Sequence, residues 1–269
     1  MIENILWISL LFLLLFVVLK ESNRRRIVGC IGWVLFSVYW LTTVEHYIEI
    51  GDFFNVVLVC LMTGFCILLA YYIKTYSGQK YETLLLVTKV TALTCIIYFP
   101  FANIDALNSA IIGLTAMITN SILNFFGVPT KLSSPYIYQG NLKIEIILAC
   151  TAIESMALFS GVVLGVKAPK NRKFKAFMVS VPVIYVLNLV RNVTVTAAYV
   201  NSLFGSPERT FYIAHHILAK IGSTIALIGI AYAVFMIQPE VLNMIEDLWY
   251  LLSGAKKKED KKKGDKNAN

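Results

Sequence analysis

The sequence predicts an all-α integral membrane protein: a bundle of about seven transmembrane helices, with a further helix in the outer interface and a small extracytoplasmic hairpin. Apolar residues make up 58% of the 269 positions and charged residues 15%, and the mean hydropathy is +0.70. This composition differs strongly from that of an average soluble domain. Several apolar runs also approach the roughly 20 residues that a helix needs to cross a hydrocarbon core of about 30 Å.

The predicted spans are apolar runs that end at charged or turn-forming residues. They cover residues 4–20, 27–46, 54–75, 83–101, 144–166, 175–199 and 210–237. In the first run positive charge follows the apolar residues instead of preceding them, which indicates a retained helix and not a signal peptide. The chain is therefore predicted to be a multi-pass protein of the cell membrane.

Basic clusters set the predicted orientation, because Lys and Arg are retained on the cytoplasmic side. The clusters lie at residues 20–26, 74–80, 167–175 and 256–269. We therefore expect these segments in the cytoplasm and the amino terminus outside. The last cluster holds seven lysines and three acidic residues, so this tail accounts for half of the net charge of +8. A charge concentrated in one tail is typical of a segment near anionic lipid and does not predict nucleic-acid binding.

Residues 107–126 have a helical pattern, but a full span there would put the basic cluster at 167–175 outside the cell. Polar residues recur among their apolar neighbours at roughly helical spacing, at Asn108, Thr115, Thr119 and Asn124. This pattern is typical of a helix that lies in the membrane interface. We therefore assign this helix to the outer leaflet.

Two shorter elements complete the predicted fold. Between residues 127 and 143, Pro135, an alternation of two tyrosines with Ile137, and a Gly140-Asn141 turn together predict a hairpin. The recurrence of apolar residues among polar ones at 239–252 predicts either a short amphipathic helix or a solvated connector on the cytoplasmic face.

The cysteines give no sign of a metal site or a disulfide framework. All five lie in apolar stretches without paired spacing: Cys30, Cys60, Cys66, Cys95 and Cys150. We expect four of them to pack in the protein interior, and we expect no cofactor and no metal.

Three chemically active groups fall inside predicted spans at a similar depth. An ionisable residue that cannot reach an interface is a candidate functional residue, because its placement in lipid is costly. At about 1.5 Å per residue, Arg191 lies ~13 Å, Cys150 ~9 Å and His215 ~8 Å inside the outer ends of their predicted helices. Three separate helices are therefore predicted to bring a guanidinium, a thiol and an imidazole to one layer near the outer surface.

This set of groups suits acyl transfer. A thiolate is the nucleophilic form of cysteine and is favoured by a nearby cation, a histidine exchanges protons near neutral pH, and an arginine can stabilise an oxyanion. A thioester intermediate would follow. Taken singly, each residue also has a structural interpretation: Cys150 as a small packing residue, Arg191 in an ion pair with Glu154, and the histidine as a hydrogen-bonding residue.

The segments that contain these residues resemble the exosortase and archaeosortase family. They are Ala149-Cys150-Thr151-Ala152-Ile153-Glu154-Ser155, Asn188-Leu189-Val190-Arg191-Asn192 and Ala214-His215-His216-Ile217, preceded by residues 120–128. The resemblance covers residues 108–240. One position departs from the family pattern, since Ala152 stands where the family often has glycine.

The resemblance implies a membrane-embedded transpeptidase. Cys150 would be the nucleophile, Arg191 the group that stabilises the transition state, and either His215 or His216 the general acid and base; Ala219, four residues after His215, favours the first. The side chains that could position these groups are those of Glu154, Ser155, Asn188 and Asn192. The implied organisation is N-terminal helices at 1–106, a catalytic core at 107–238, and a cytoplasmic segment with the lysine-rich tail at 239–269.

The implied substrates are exported surface proteins, including surface-layer proteins. They would end in a short motif of the Pro-Gly-Phe type, a transmembrane helix and a basic cluster, and would be passed through a thioacyl enzyme to a membrane lipid acceptor near the extracytoplasmic face. Two other functions fit the residues. An intramembrane cysteine protease would share the nucleophile but end in hydrolysis, whereas a transporter would use Arg191 to bind an anionic substrate and would not need Cys150.

Overall fold

The computed structural model describes residues 2–254 and confirms an all-α integral membrane protein. Its helices are α1 (Ile2–Val18), α2 (Asn23–Thr42), α3 (Val44–Glu49), α4 (Phe53–Thr75), α5 (Gln79–Asn103), α6 (Asp105–Phe125), α7 (Ile153–Gly165), α8 (Lys170–Val200), α9 (Pro207–Phe211), α10 (Ala219–Ile237) and α11 (Pro239–Ser253). The strands are β1 (Lys131–Ser133), β2 (Tyr136–Gln139) and β3 (Leu142–Glu145). The lysine-rich tail from residue 256 lies outside the described residues.

Within residues 2–254, six helical stretches are long and apolar enough to cross a membrane. They are Asn23–Glu49, Phe53–Thr75, Gln79–Asn103, Asp105–Phe125, Lys170–Val200 and Pro207–Ile237. The first and fifth predicted spans correspond to shorter apolar helices, Asn4–Val18 and Ile153–Gly165. The helix predicted to lie in the interface, α6, has the length of a span. The predicted segment at 239–252 forms a helix, α11.

One compact unit comprises the residues up to Ala92 together with those from Glu240 onward. Two arginines at the start of α2 satisfy the carbonyl groups at the ends of other helices. Buried Arg25 donates to the carbonyl of Phe16 at 2.7 Å, and Arg26 donates to that of Tyr76 at 2.6 Å. The last carbonyls of a helix have no partner within the helix, so these bonds cap α1 and α4. Arg25 and Arg26 therefore have a structural role.

The second unit, from Leu93 to Pro239, corrects the predicted span at 144–166. In place of a helix start, the chain forms β3, then a 3₁₀ turn at Leu148–Thr151, and only then α7 from Ile153. Cys150 thus lies in a turn, and a depth counted from a helix start at residue 144 is wrong. Periodicity cannot separate a short apolar strand from a helix; here Ile144 is buried as a strand residue and Ile146 is buried just after the strand ends.

The predicted hairpin is present and has a third strand. The strands pair antiparallel in the order β1-β2-β3, and Ile137 and Ile144 from the sheet form one apolar cluster with Ala116 and Leu123 of α6. An open sheet edge is not tolerated in hydrocarbon, because its backbone groups would lack hydrogen-bonding partners. Packing of the sheet on the C-terminal half of α6 therefore favours placing that half outside the hydrocarbon, as an interfacial helix requires.

Close contacts hold α7 in place within the second unit. A Cβ atom on Gly161 would lie 2.8 Å from the backbone nitrogen of Thr94, so α7 approaches α5 at a distance that only glycine permits. At the end of α10, buried Gln238 donates to the carbonyl of Val163 at 3.2 Å. The helix that follows Cys150 is thus fixed from two sides.

Candidate active site

Cys150 lies in a tight turn immediately before α7. Its N–H donates to the carbonyl of Ile147 at 2.8 Å, and the buried Thr151 hydroxyl donates to the carbonyl of Leu148 at 2.7 Å. Ala152, the next residue, has φ 59° and ψ 15°, a left-handed conformation that favours glycine. At the position where the family often has glycine, the backbone therefore adopts a conformation that is unfavourable for residues with a Cβ atom.

Two asparagines of α8 hold the backbone of Cys150. Asn188 Nδ2 donates to the Cys150 carbonyl oxygen at 2.6 Å and Asn192 Nδ2 donates to the same oxygen at 2.7 Å. The two residues are one helical turn apart, so both side chains reach one acceptor from one face of α8. This pair of hydrogen bonds fixes the turn that carries Cys150 against the helix that carries Arg191.

Arg191 lines a cleft of about 760 Å³ in the second unit. The side chain is half-buried, and it forms no hydrogen bond or ion pair with any residue between 2 and 254. The ion pair with Glu154 considered above is therefore absent: exposed Glu154 accepts a hydrogen bond from the Tyr98 hydroxyl at 3.4 Å. A guanidinium on a mostly apolar helix without an anionic partner is available to a ligand or to a developing negative charge.

The two candidate histidines, His215 and His216, lie in a π-helical segment, Tyr212–Leu218, between α9 and α10. Such segments are rare and are frequent at functional sites. His215 is half-buried and stacks on Phe211, with ring centroids 4.9 Å apart. His216 is exposed. The surroundings of His215 therefore match a catalytic histidine better than those of His216.

The predicted residues are adjacent, but they do not all face the cleft. The cleft is lined by Arg191, Asn188, Glu154 and Ser155, and not by Cys150 or either histidine. The Cys150 side chain packs on the apolar cluster that α6 forms with the sheet, and Tyr199 packs there too. The centroid of the Tyr199 ring also lies 5.8 Å from that of Phe211, and the Phe211 ring stacks on His215. An aromatic pair thus links the surroundings of the thiol to the imidazole.

The remaining cysteines do not enter the site. All five cysteines are free thiols, and Cys66 and Cys95 are buried as expected, whereas Cys60 is exposed. Within the described part of the chain, no group of three or more His, Cys, Asp or Glu side chains could hold a metal ion.

Lys220 also lines the cleft and was missed by the sequence analysis. It lies inside the predicted span 210–237, where a lysine is costly unless it reaches an interface or an anionic partner. The signal was present in the sequence, but its relation to Arg191 appears only when α8 and α10 are seen to share one cleft.

Comparisons with known proteins agree with these observations. Residues 3–228 match the family model described as transmembrane exosortase. The chain is 29% identical to archaeosortase A of Haloferax volcanii, over 87% of both chains. It is 24% identical to archaeosortase A of Natronomonas pharaonis, over 84% of this chain and 80% of that protein. No solved structure matches the chain.

Proposed function

The chain belongs to the transmembrane exosortase family of membrane sorting transpeptidases, and on that premise we propose that Cys150 is its nucleophile. The observation that carries this proposal is the Arg191 guanidinium, which has no partner among residues 2–254 and lies in a cleft beside the Cys150 turn. Two asparagines of the same helix hold that turn in place. A buried thiolate needs a cation nearby, and an acyl-transfer transition state needs a donor for its oxyanion. Arg191 can supply both.

The proposed substrates are exported proteins with a carboxy-terminal motif of the Pro-Gly-Phe type, a transmembrane helix and a basic cluster. The relatives named archaeosortase A support the processing of exported proteins in general. The apolar walls of the cleft suit a segment that continues into a membrane helix. We place the active site near the extracytoplasmic face for two reasons. The sheet that packs beside Cys150 requires surroundings outside the hydrocarbon, and the basic cluster at 167–175, beyond the other end of α7, is expected in the cytoplasm.

The proposed reaction begins when the Cys150 thiolate attacks the carbonyl carbon of the scissile peptide bond. Because the thiol packs on the apolar cluster, attack requires its side chain to rotate toward the cleft. Arg191 stabilises the tetrahedral oxyanion, and His215 gives a proton to the leaving amine as the peptide C–N bond breaks. A thioacyl enzyme remains; the nucleophile of a membrane lipid then attacks the thioester, gives its proton to His215 and releases the thiolate as the C–S bond breaks.

The test is Cys150→Ala in cells that express a surface protein with a Pro-Gly-Phe tail. The expected result is full accumulation of the unprocessed protein, measured by immunoblot against the wild type. Cys60→Ala is the matched control, because Cys60 is exposed and lies on α4 in the other unit. Normal processing in the Cys150→Ala strain would rule out the proposed mechanism.

The same experiment separates the two other functions. A transporter that binds an anion at Arg191 would lose function in Arg191→Ala but keep it in Cys150→Ala. An intramembrane protease would require Cys150, but mass spectrometry of the processed substrate would then show a free carboxylate at the new carboxy terminus in place of an attached lipid.

A further inference from the structure

Lys220 is a second cation that lines the cleft. Its amine forms no hydrogen bond or ion pair with any residue from 2 to 254, and its side chain is exposed. Lys220 lies near the middle of the 31-residue apolar stretch Pro207–Ile237. A lysine in such a position is costly unless it reaches an interface or an anionic partner.

The length of the helix places Lys220 at an interface. At about 1.5 Å per residue, Lys220 lies roughly 26 Å from Ile237, where α10 ends. The hydrocarbon core is about 30 Å thick. With Ile237 at one boundary, the amine of Lys220 therefore lies close to the opposite boundary, at the level of the phosphate groups of the lipids in that leaflet.

The charges of the cleft are unbalanced. Arg191 and Lys220 both line it, and its one carboxylate, Glu154, is exposed and engaged by Tyr98. Apolar side chains make up much of the remaining lining, among them Ile184, Leu187 and Leu227. A complementary ligand has to combine negative charge with apolar chains.

The cleft is also accessible from the lipid. Between Ala219 and Ile237, α10 buries only Ile230 and Val234, and a Cβ atom on Gly222, a residue of the cleft lining, would meet no atom within 4 Å. One wall of the cleft is therefore a sparsely packed helix with several exposed apolar side chains, among them Ile221 and Ile225.

We propose that this cleft binds the phosphate group of an anionic membrane lipid, with Lys220 and Arg191 as its cationic ligands. A guanidinium can bind phosphate through two parallel hydrogen bonds, while a lysine acts as a point charge. Hydroxyl groups of Ser155 and Ser223 lie in the same lining. The acyl or alkyl chains lie along the apolar wall beside α10.

The site bears on the reaction in one further way. If the bound lipid is the acceptor, a step that rests on the proposed function, its headgroup lies in the cleft beside the Cys150 turn. Lipid binding itself does not require the thiol, so the Cys150→Ala protein is expected to bind lipid as the wild type does. Failure of the proposed chemistry and failure of the lipid site are therefore distinguishable.

The experiment measures binding of dioleoyl phosphatidylglycerol to the purified full-length protein in neutral detergent, by native mass spectrometry. Lys220→Met removes the charge and keeps the length of the side chain, and it is expected to weaken binding about tenfold, the loss of one charge-assisted interaction. Lys89→Met, on α5 in a part of that helix that belongs to the other unit, is the matched control and is expected to bind normally. Lys220→Arg is expected to restore binding.

Two comparisons test the commitment to a lipid phosphate. Dioleoylglycerol, which lacks the phosphate, is expected to bind weakly and equally to wild type and Lys220→Met. Inorganic phosphate at the same concentration is expected not to displace the lipid. Equal losses in Lys220→Met and Lys89→Met, or displacement by inorganic phosphate, would overturn the proposal; the thermal unfolding midpoint of each variant verifies that it is folded.

Discussion

Arg25 and Arg191 are both arginines on apolar helices, but their surroundings are opposite. Arg25, in the unit that contains α1 to α4, is buried, donates to the carbonyl of Phe16 and lies 5.2 Å from the centre of the Phe16 ring. Arg191, in the unit that contains α6 to α10, has no partner among residues 2–254 and faces a cleft. A charge whose hydrogen bonds are satisfied by the fold contributes to stability, whereas an unpaired charge is available to a ligand.

Substitution of these two arginines is expected to have the largest and most clearly separated effects. Arg191→Ala should reduce substrate processing by about 10²- to 10³-fold, the range for loss of an oxyanion donor, and should leave the unfolding midpoint unchanged. Arg25→Ala should lower the free energy of unfolding by about 1–3 kcal/mol, because it leaves buried carbonyl groups without donors. Processing per folded molecule should stay at the wild-type level. Immunoblots and thermal unfolding of both variants provide the measurement.

A loss of stability in Arg191→Ala would contradict this comparison. If Arg191→Ala destabilised the protein as much as Arg25→Ala, the guanidinium would have a structural partner. Arg191→Lys sharpens the test, because lysine keeps the charge but lacks the paired donors of the guanidinium; it should restore little of the activity.

The asparagine pair on α8 tests whether polar groups near the cleft can also be structural. Either Asn188→Ala or Asn192→Ala leaves one donor on the Cys150 carbonyl, so each is expected to cost about 1 kcal/mol of unfolding free energy. The double variant leaves the carbonyl without a donor and should cost more than the sum of the two. Unfolding in detergent measures the three variants in one cycle. If the two losses of unfolding free energy simply add, the two hydrogen bonds stabilise the Cys150 turn independently of each other.

The smallest expected effect concerns the backbone next to Cys150. Ala152 adopts φ 59°, which costs an L-residue roughly 1–2 kcal/mol, while glycine loses roughly 0.5–1 kcal/mol more chain entropy on folding. Ala152→Gly should therefore stabilise the protein by between about 0 and 1.5 kcal/mol. Ser202, at φ 51° in the turn after α8, provides the control. Ser202→Gly should give a similar gain in the unfolding midpoint, and a loss of stability in Ala152→Gly would contradict the strain argument.

Most of the helices were predictable because crossing a membrane imposes a simple requirement on a sequence. A run of about 20 apolar residues has one stable arrangement in lipid, so the spans ending in Thr75 and Ile237 are recognised from composition alone. The run that contains Cys150 was predicted incorrectly, because an apolar stretch can also be a strand buried on a helix. Ile144 is a buried strand residue of this kind. The predicted depth of Cys150 failed with it.

Sequence alone determined that this chain is a membrane protein, and it singled out Cys150, Arg191 and the His215-His216 pair, because a charged or nucleophilic group among apolar residues is conspicuous wherever the chain folds. The tertiary structure decided which of these groups have partners. The bonds from Asn188 and Asn192 to the Cys150 carbonyl, the absence of a partner for Arg191 within residues 2–254, and the position of Lys220 in the same cleft all depend on how α7, α8 and α10 pack. Contacts between residues far apart in the chain follow from packing, and no local pattern of residues encodes them.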